Sequence, residues 1–143
     1  MKLFLIAGEA SGDALGAALM AGLTALAPEA EFHGVGGPKM AGEGLRSLFP
    51  MDELSVMGLV EILPKYAHLR RRIAETAEAV TRLKPDALVT IDSPDFCLRV
   101  ARAVRSADPA QRTIHYVAPT VWAWRPGRAA KMAEVIDHVL ALF

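Results

Sequence analysis

Apolar runs of strand length alternate along this chain with stretches whose apolar residues recur every three or four positions, and Gly, Pro or Asp stands at nearly every junction. Lys2–Ala7 reads as a first strand. Residues 14–27 read as a helix, with Leu15, Leu19, Leu23 and Leu26 spaced to form one apolar stripe and Pro28 stopping it. Glu31–Val35 is a second, short strand, and the Gly34-Val35-Gly36-Gly37-Pro38 segment leads out of it through glycines that permit turns a side chain would block. Residues 40–44 form at most a turn or two of helix. The stretch 48–64 is the least regular, with Met51, Leu54, Val56, Met57, Leu59, Val60, Ile62 and Leu63 too dense for all to face one core. Residues 66–83 form an amphipathic helix that buries Tyr66, Leu69, Ile73, Ala77, Val80 and Leu83. Lys84-Pro85-Asp86 breaks it. Ala87–Ile91 is apolar enough to be a strand covered on both faces, and Asp92-Ser93-Pro94-Asp95 is the turn into a helix over 96–107. A strand at Thr113–Val117, a helix over 126–135 opened by Pro126 and a last strand over 138–142 complete the series.

Strands alternating with helices call for an α/β fold, a Rossmann-like parallel sheet with helices on both faces, because each crossover must return the chain to the same end of the sheet. Ligands of such sheets bind beyond the carboxyl ends of the strands. The loops to inspect are therefore 8–13, 34–39, 92–95 and 118–125.

Composition narrows the functional classes. The chain has 143 residues, enough for one domain of ordinary size, and 52 % of them are apolar, which excludes disorder. Sixteen Lys and Arg balance sixteen Asp and Glu, so no global field recruits nucleic acid, and none is expected as a partner. The one cysteine, Cys97, rules out a disulfide framework and a cysteine-built zinc site, and reads as a small buried hydrophobe. The opening apolar run is cut by Glu9 and Asp13 too early for a signal peptide, and the longest uncharged stretch, 14–28, is shorter than the ~18–20 residues of a membrane span. A cytoplasmic address is expected by elimination, with peripheral membrane attachment left open.

Four constellations carry candidate chemistry, each with an ordinary alternative. Gly8-Glu9-Ala10-Ser11-Gly12-Asp13 joins the first strand to the first helix, where free N–H groups and the helix dipole suit a phosphate or a hydroxyl. The spacing matches neither the G-x-G-x-x-G nor the P-loop fingerprint, and Ser11 and Asp13 could equally be helix caps. Asp92 and Asp95 end a buried strand, where a carboxylate can take a proton from a substrate hydroxyl; Asp95 could instead complement the helix dipole, and Asp92 is the more structural of the two. The spacing is not that of a metal-holding D-x-D, so no metal is expected, and no cofactor. Residues 115–126 gather Tyr116, Trp122, Trp124 and Arg125 into a sugar or acyl surface, or simply a covered sheet edge, while His115 in an apolar strand is more often a satisfied core residue. Residues 57–72 combine exposed-looking aliphatics with Lys65, Arg70, Arg71 and Arg72, the pair of signals that lets a protein rest on an anionic bilayer, or else a loosely packed lid with a solvated basic helix face.

Taken together, the segments Ile6-Ala7-Gly8-Glu9-Ala10-Ser11-Gly12-Asp13, Gly34-Val35-Gly36-Gly37-Pro38-Lys39-Met40, Leu54-Ser55-Val56-Met57-Gly58-Leu59-Val60-Glu61, Lys84-Pro85-Asp86, Ile91-Asp92-Ser93-Pro94-Asp95-Phe96 and His115-Tyr116-Val117 through Val121-Trp122-Ala123-Trp124-Arg125 resemble, in order and from end to end, the N-terminal half of the lipid-A-disaccharide synthase family. The resemblance implies a GT-B glycosyltransferase of two Rossmann-like domains, with residues 1–143 as the N-terminal, acceptor-side one and the C-terminal UDP-binding domain absent from this chain. It implies an inverting transfer from UDP-2,3-diacylglucosamine to 2,3-diacylglucosamine 1-phosphate (lipid X), giving a β(1→6) disaccharide and UDP without a metal, by an enzyme peripheral to the bacterial inner membrane. By match to the family's motifs Asp95 is the expected general base. Glu9 and Ser11 are expected to line the same cleft, with Asp86 and Asp92 as further substrate-binding candidates. Met57, Leu59, Val60, Ile62, Leu63, Leu69, Arg70, Arg71 and Arg72 become an expected membrane or acyl contact. Cys97 departs from the family's Asn, and Ala118 and Thr120 depart from Ser around Pro119, which puts hydrogen bonds near the base in doubt.

The chain alone is expected to be inactive, since a two-substrate transfer needs both halves to orient donor and nucleophile. The alternative is a truncated, non-catalytic lipid- or sugar-binding domain or membrane-surface module. A nicotinamide-dependent enzyme fails on the missing fingerprint. Association of two chains through a bare apolar face is a further expectation.

Overall fold

A computed structural model describes residues 1–55, 63–117 and 134–141. In chain order the elements are β1 (Lys2–Ala7), α1 (Ala10–Leu26), β2 (Glu31–Val35), α2 (Pro38–Gly42), α3 (Asp52–Ser55), α4 (Leu63–Leu83), β3 (Ala87–Ile91), α5 (Pro94–Ala107), β4 (Thr113–Val117) and β5 (His138–Ala141). The helix expected over 126–135 falls almost wholly outside the described residues, and Glu134 and Val135, its last two positions, form a turn.

The five strands form one parallel sheet in the order β2-β1-β3-β4-β5, with Leu5 opposite Gly34 on one side of β1 and opposite Val89 on the other. Chain order reverses between β1 and β3, the position at which sheets of this order leave a crevice between diverging loops. β3 is buried at all five positions, as its uninterrupted apolar run requires. Several polar groups inside pair with one another or with backbone. Thr90 Oγ1 lies 2.6 Å from His115 Nδ1 across β3 and β4, and Gln111 Nε2 donates to the Pro85 carbonyl at 3.1 Å. At the amino end of β5, Asp137 accepts the Thr113 N–H at 2.8 Å and pairs with Arg105 at 3.0 Å, which fixes the edge strand to β4 and α5.

α1 corrects the sequence reading in two ways. The helix opens at Ala10 rather than at residue 14, so Ser11 and Asp13 lie in its first turns and neither caps it. Its buried face is Gly12, Asp13, Gly16 and Met20, while Leu15, Leu19 and Leu23 are only partly buried and Leu26 is 85 % exposed. The cause is close approach. A Cβ on Gly16 would stand 2.6 Å from Met40 Sδ and 3.1 Å from Ile91 Cδ1, whereas one on Gly12 would make ordinary contact with the Ile91 carbonyl at 3.4 Å, so Gly16 marks the tightest approach of this face. A stripe of leucines would hold it further off. α4, by contrast, buries Ala77 and Val80 and packs Leu69, Ile73 and Leu83 against the core as its periodicity predicts, and it begins at Leu63 rather than at residue 66. α5 begins at Pro94, and no helix among the described residues is long and apolar enough to cross a membrane.

Candidate functional site

The β1–α1 and β3–α5 loops meet at the carboxyl end of the sheet. An added Cβ on Gly8 would lie 2.5 Å from Ser93 Oγ and 3.0 Å from Ser93 Cβ, so the two loops touch through a glycine that no larger residue could replace without displacement. Glu9 follows in extended backbone, with its carbonyl accepting the Asp13 N–H at 2.9 Å and its side chain making no cap bond. Glu9 and Ser11 are exposed at this end.

On the β3 side the backbone is strained. Asp92 and Ser93 both have left-handed conformations, at φ 50° and 43°, which costs roughly 1–2 kcal/mol for each residue carrying a Cβ. Two bonds hold the turn in place: Asp92 donates its N–H to the Tyr116 carbonyl at 2.9 Å, and Cys97 donates its N–H to the Ser93 carbonyl at 3.1 Å. The turn delivers Asp92, half-buried, against the sheet end and Asp95, exposed, in the first turn of α5 directly after Pro94. Glu9, Ser11, Asp92 and Asp95 thus share the mouth of the β1/β3 crevice.

Asp86 does not join them. It stands at the amino end of β3, about 20 Å from Asp92 by strand rise, where its Oδ2 accepts the Lys2 N–H at 2.7 Å and its own N–H donates to the Lys2 carbonyl at 2.8 Å. The Lys-Pro-Asp turn enters the strand, so it lies at the end opposite to the crevice.

The third wall comes from the segment after β2. Buried Asp13 reaches out of α1 to accept three backbone N–H groups, from Gly37 at 3.0 Å and Met40 at 2.9 Å on Oδ1 and from Lys39 at 2.9 Å on Oδ2. It therefore caps α2, whose own N-cap, Gly37, has no side chain to do so. A Cβ on Gly37 would sit 2.7 Å from Asp13 Oδ2, which explains a second glycine by close approach. The signal was legible: a Gly-Pro helix start without a capping side chain requires an acceptor from elsewhere.

Beyond α2 the chain crosses back over the crevice, with Leu54 Cδ1 3.6 Å from the Cβ position of Gly8. Phe49 packs edge-to-face on Phe96 at 6.3 Å, and the Arg72 guanidinium lies 4.7 Å above the Phe49 ring. Arg72 also pairs with Glu53 at 2.9 Å and Glu75 at 2.7 Å, and His68 lies 3.3 Å from Glu53. The hydrogen bond from Arg72 holds the Glu53 carboxyl below the usual carboxylate range, and Glu53 in turn raises Arg72. Sequence reasoning missed this cluster because its members lie far apart along the chain. Of the expected membrane-facing residues, Arg70 and Arg71 are exposed, Leu69 packs on the core and Arg72 is committed within the chain. Leu63 opens α4, and Met57, Leu59, Val60 and Ile62 lie outside the described residues, as does the Trp-rich loop 118–125.

Two further groups lie behind the crevice. Burial pushes the Cys97 thiol far up, leaving it neutral and inert, and pulls His115 down to about 4, so the imidazole is uncharged at neutral pH. Neither is placed to act as a nucleophile or a base on a solvent-borne substrate.

The family model described as lipid-A-disaccharide synthetase matches residues 3–143. The chain is 69 % identical over 142 residues to a lipid-A-disaccharide synthase of Ruegeria pomeroyi, 57 % identical over 143 residues to one of Rhodospirillum centenum, and 51 % identical over 143 residues to one of Pseudomonas paraeruginosa. These matches cover 99 %, 99 % and 100 % of this chain but only 35 %, 36 % and 37 % of the respective relatives. The chain thus spans about a third of the length of the curated relatives it matches.

Proposed function

This chain belongs to the lipid-A-disaccharide synthase family, and on that premise we propose that it is the acceptor-side, base-bearing part of an inverting glycosyltransferase of lipid A biosynthesis. The acceptor is 2,3-diacylglucosamine 1-phosphate and the donor UDP-2,3-diacylglucosamine. The acceptor 6-hydroxyl oxygen forms a bond to the donor anomeric carbon as the bond from that carbon to the UDP oxygen breaks on the opposite face. The hydroxyl proton goes to Asp95 and the electron pair leaves with UDP, giving a β(1→6) disaccharide. Only one base is needed on the acceptor side, because UDP is a good leaving group once its phosphates are neutralised by the remainder of the enzyme.

The observation that supports the reading is the strained Asp92-Ser93 turn at the β1/β3 crossover, which touches the Gly8 loop and leads into the exposed Asp95 in the first turn of α5. Glu9 and Ser11 orient acceptor hydroxyls, and Asp92 supports the turn. The exposed Arg70 and Arg71, with the aliphatic segment 57–62, rest on the anionic inner-membrane surface and bring the acyl chains to the crevice. A suitable test is a chimera in which this chain replaces the matched segment of the Ruegeria pomeroyi relative. Asp95→Asn is expected to lower turnover by at least about 100-fold while acceptor binding is retained. Turnover within about threefold of the parent would refute the assignment.

A further inference from the structure

We propose that Arg72 is a positioning residue for Asp95, acting through the edge-to-face rings of Phe49 and Phe96; the inference rests on the reading of Asp95 as the base. The turn that carries Asp95 is strained, and the two backbone bonds that hold it, from Asp92 and Cys97, are joined by no side-chain cap from Ser93. Asp92 and Ser93 are both left-handed, and Pro94 has no N–H to give. A strained turn persists only when its surroundings over-determine it. The lateral anchor is Phe96, the residue after Asp95, whose buried ring meets the buried Phe49 edge-to-face at 6.3 Å.

Phe49 is held in turn by the Arg72 guanidinium, 4.7 Å from the ring centroid. That cation is itself immobilised by two carboxylates on different elements: Glu53 of α3 at 2.9 Å and Glu75 of α4 at 2.7 Å. A guanidinium can lie flat on a ring and still direct N–H groups at two carboxylates in its plane, which an ammonium cannot do. The arrangement therefore bears on the first turn of α5 through Phe49 and Phe96, with the Arg72 guanidinium engaged by Glu53 and Glu75.

The test uses the same chimera, with kcat and KM for both substrates measured per folded molecule. Arg72→Met is expected to lower kcat about tenfold with both KM values within twofold, because a misplaced base loses rate without losing binding. Arg72→Lys, which keeps the charge but not the flat stack, should recover only part of the loss. In the Asp95→Asn background Arg72→Met should cost less than a further twofold, since there is no base left to position. Should Arg72→Met fail to fold, Phe49→Leu, which leaves the ion pairs intact, is judged by the same criteria. A kcat within twofold of the parent overturns the proposal, and so does a loss confined to acceptor KM, which would mark Arg72 as a lipid-facing contact. Independent, multiplying losses in the double variant also overturn it, since they indicate a merely structural role. If Asp95→Asn itself retains turnover, the reading of Asp95 fails and takes the proposal with it.

Discussion

Asp13 gives the sharpest quantitative expectation, because its three hydrogen bonds are unequal in what replaces them. Asp13→Ala removes the acceptor from three backbone N–H groups at 2.9–3.0 Å. A hydrogen bond contributes about 1 kcal/mol, and a buried donor left without a partner bears a desolvation cost of about 1–3 kcal/mol. The Met40 N–H is in a buried bond, whereas those of Gly37 and Lys39 are part-buried and can recruit water. A total loss of about 4 kcal/mol follows, a large share of the ~5–15 kcal/mol typical of a domain. Asp13→Asn keeps an oxygen for Gly37 and Met40 and turns its amide toward the Lys39 N–H, donor against donor, so about 2 kcal/mol is expected. Urea unfolding followed by far-ultraviolet circular dichroism would read both as lower midpoints at unchanged slope. A loss below about 1 kcal/mol for Ala, or an equal loss for both variants, would refute the capping account.

The buried His115 predicts a pH dependence of defined sign. Its folded value of about 4 lies below the ordinary 6.5, so between these limits the unfolded chain binds the extra proton and stability falls as pH is lowered. Relative to His115→Gln, the parent should lose about 3 kcal/mol between pH 6.5 and 4 and show a flat difference above pH 6.5 in urea titrations; a flat difference throughout would contradict it. Cys97, fully buried with its thiol held neutral, should react with a soluble disulfide reagent at least about a thousandfold more slowly in the folded chain than in urea, and reaction at comparable rates would show the α5 packing to be wrong.

The strands were legible because their signal is local. Lys2–Ala7, Glu31–Val35, Ala87–Ile91 and Thr113–Val117 appear with the boundaries their apolar runs indicate, and the alternation with helices implied a parallel sheet. The first helix misled because leucine spacing marks an apolar face without saying which face docks. Gly12 and Gly16 carry no hydrophobic signal, yet they face the core, and at Gly16 a side chain would crowd Met40 and Ile91. The site was half legible. That Asp92 and Asp95 end a central strand follows from the pattern, but the left-handed backbone at Asp92 and Ser93, the Gly8–Ser93 contact and the Asp13 cap depend on which loops meet. Asp86 misleads for another reason: its place directly before Ala87–Ile91 already puts it at the amino end of β3, which the motif match does not weigh. The Arg72 cluster was read as part of a basic face because composition cannot show that Glu53 and Phe49, in the irregular stretch before α4, fold back onto it.

The central claim, that this chain is the acceptor-side part of a lipid A disaccharide-forming enzyme, is tested most directly by disaccharide formation from UDP-2,3-diacylglucosamine and lipid X. The assay would compare this chain alone, the separately expressed remainder of the Ruegeria pomeroyi relative, and the two mixed. The account predicts product only on mixing, abolished by Asp95→Asn. Silence of the mixture beside an active full-length control, or turnover by the chain lacking Asp95, would contradict it.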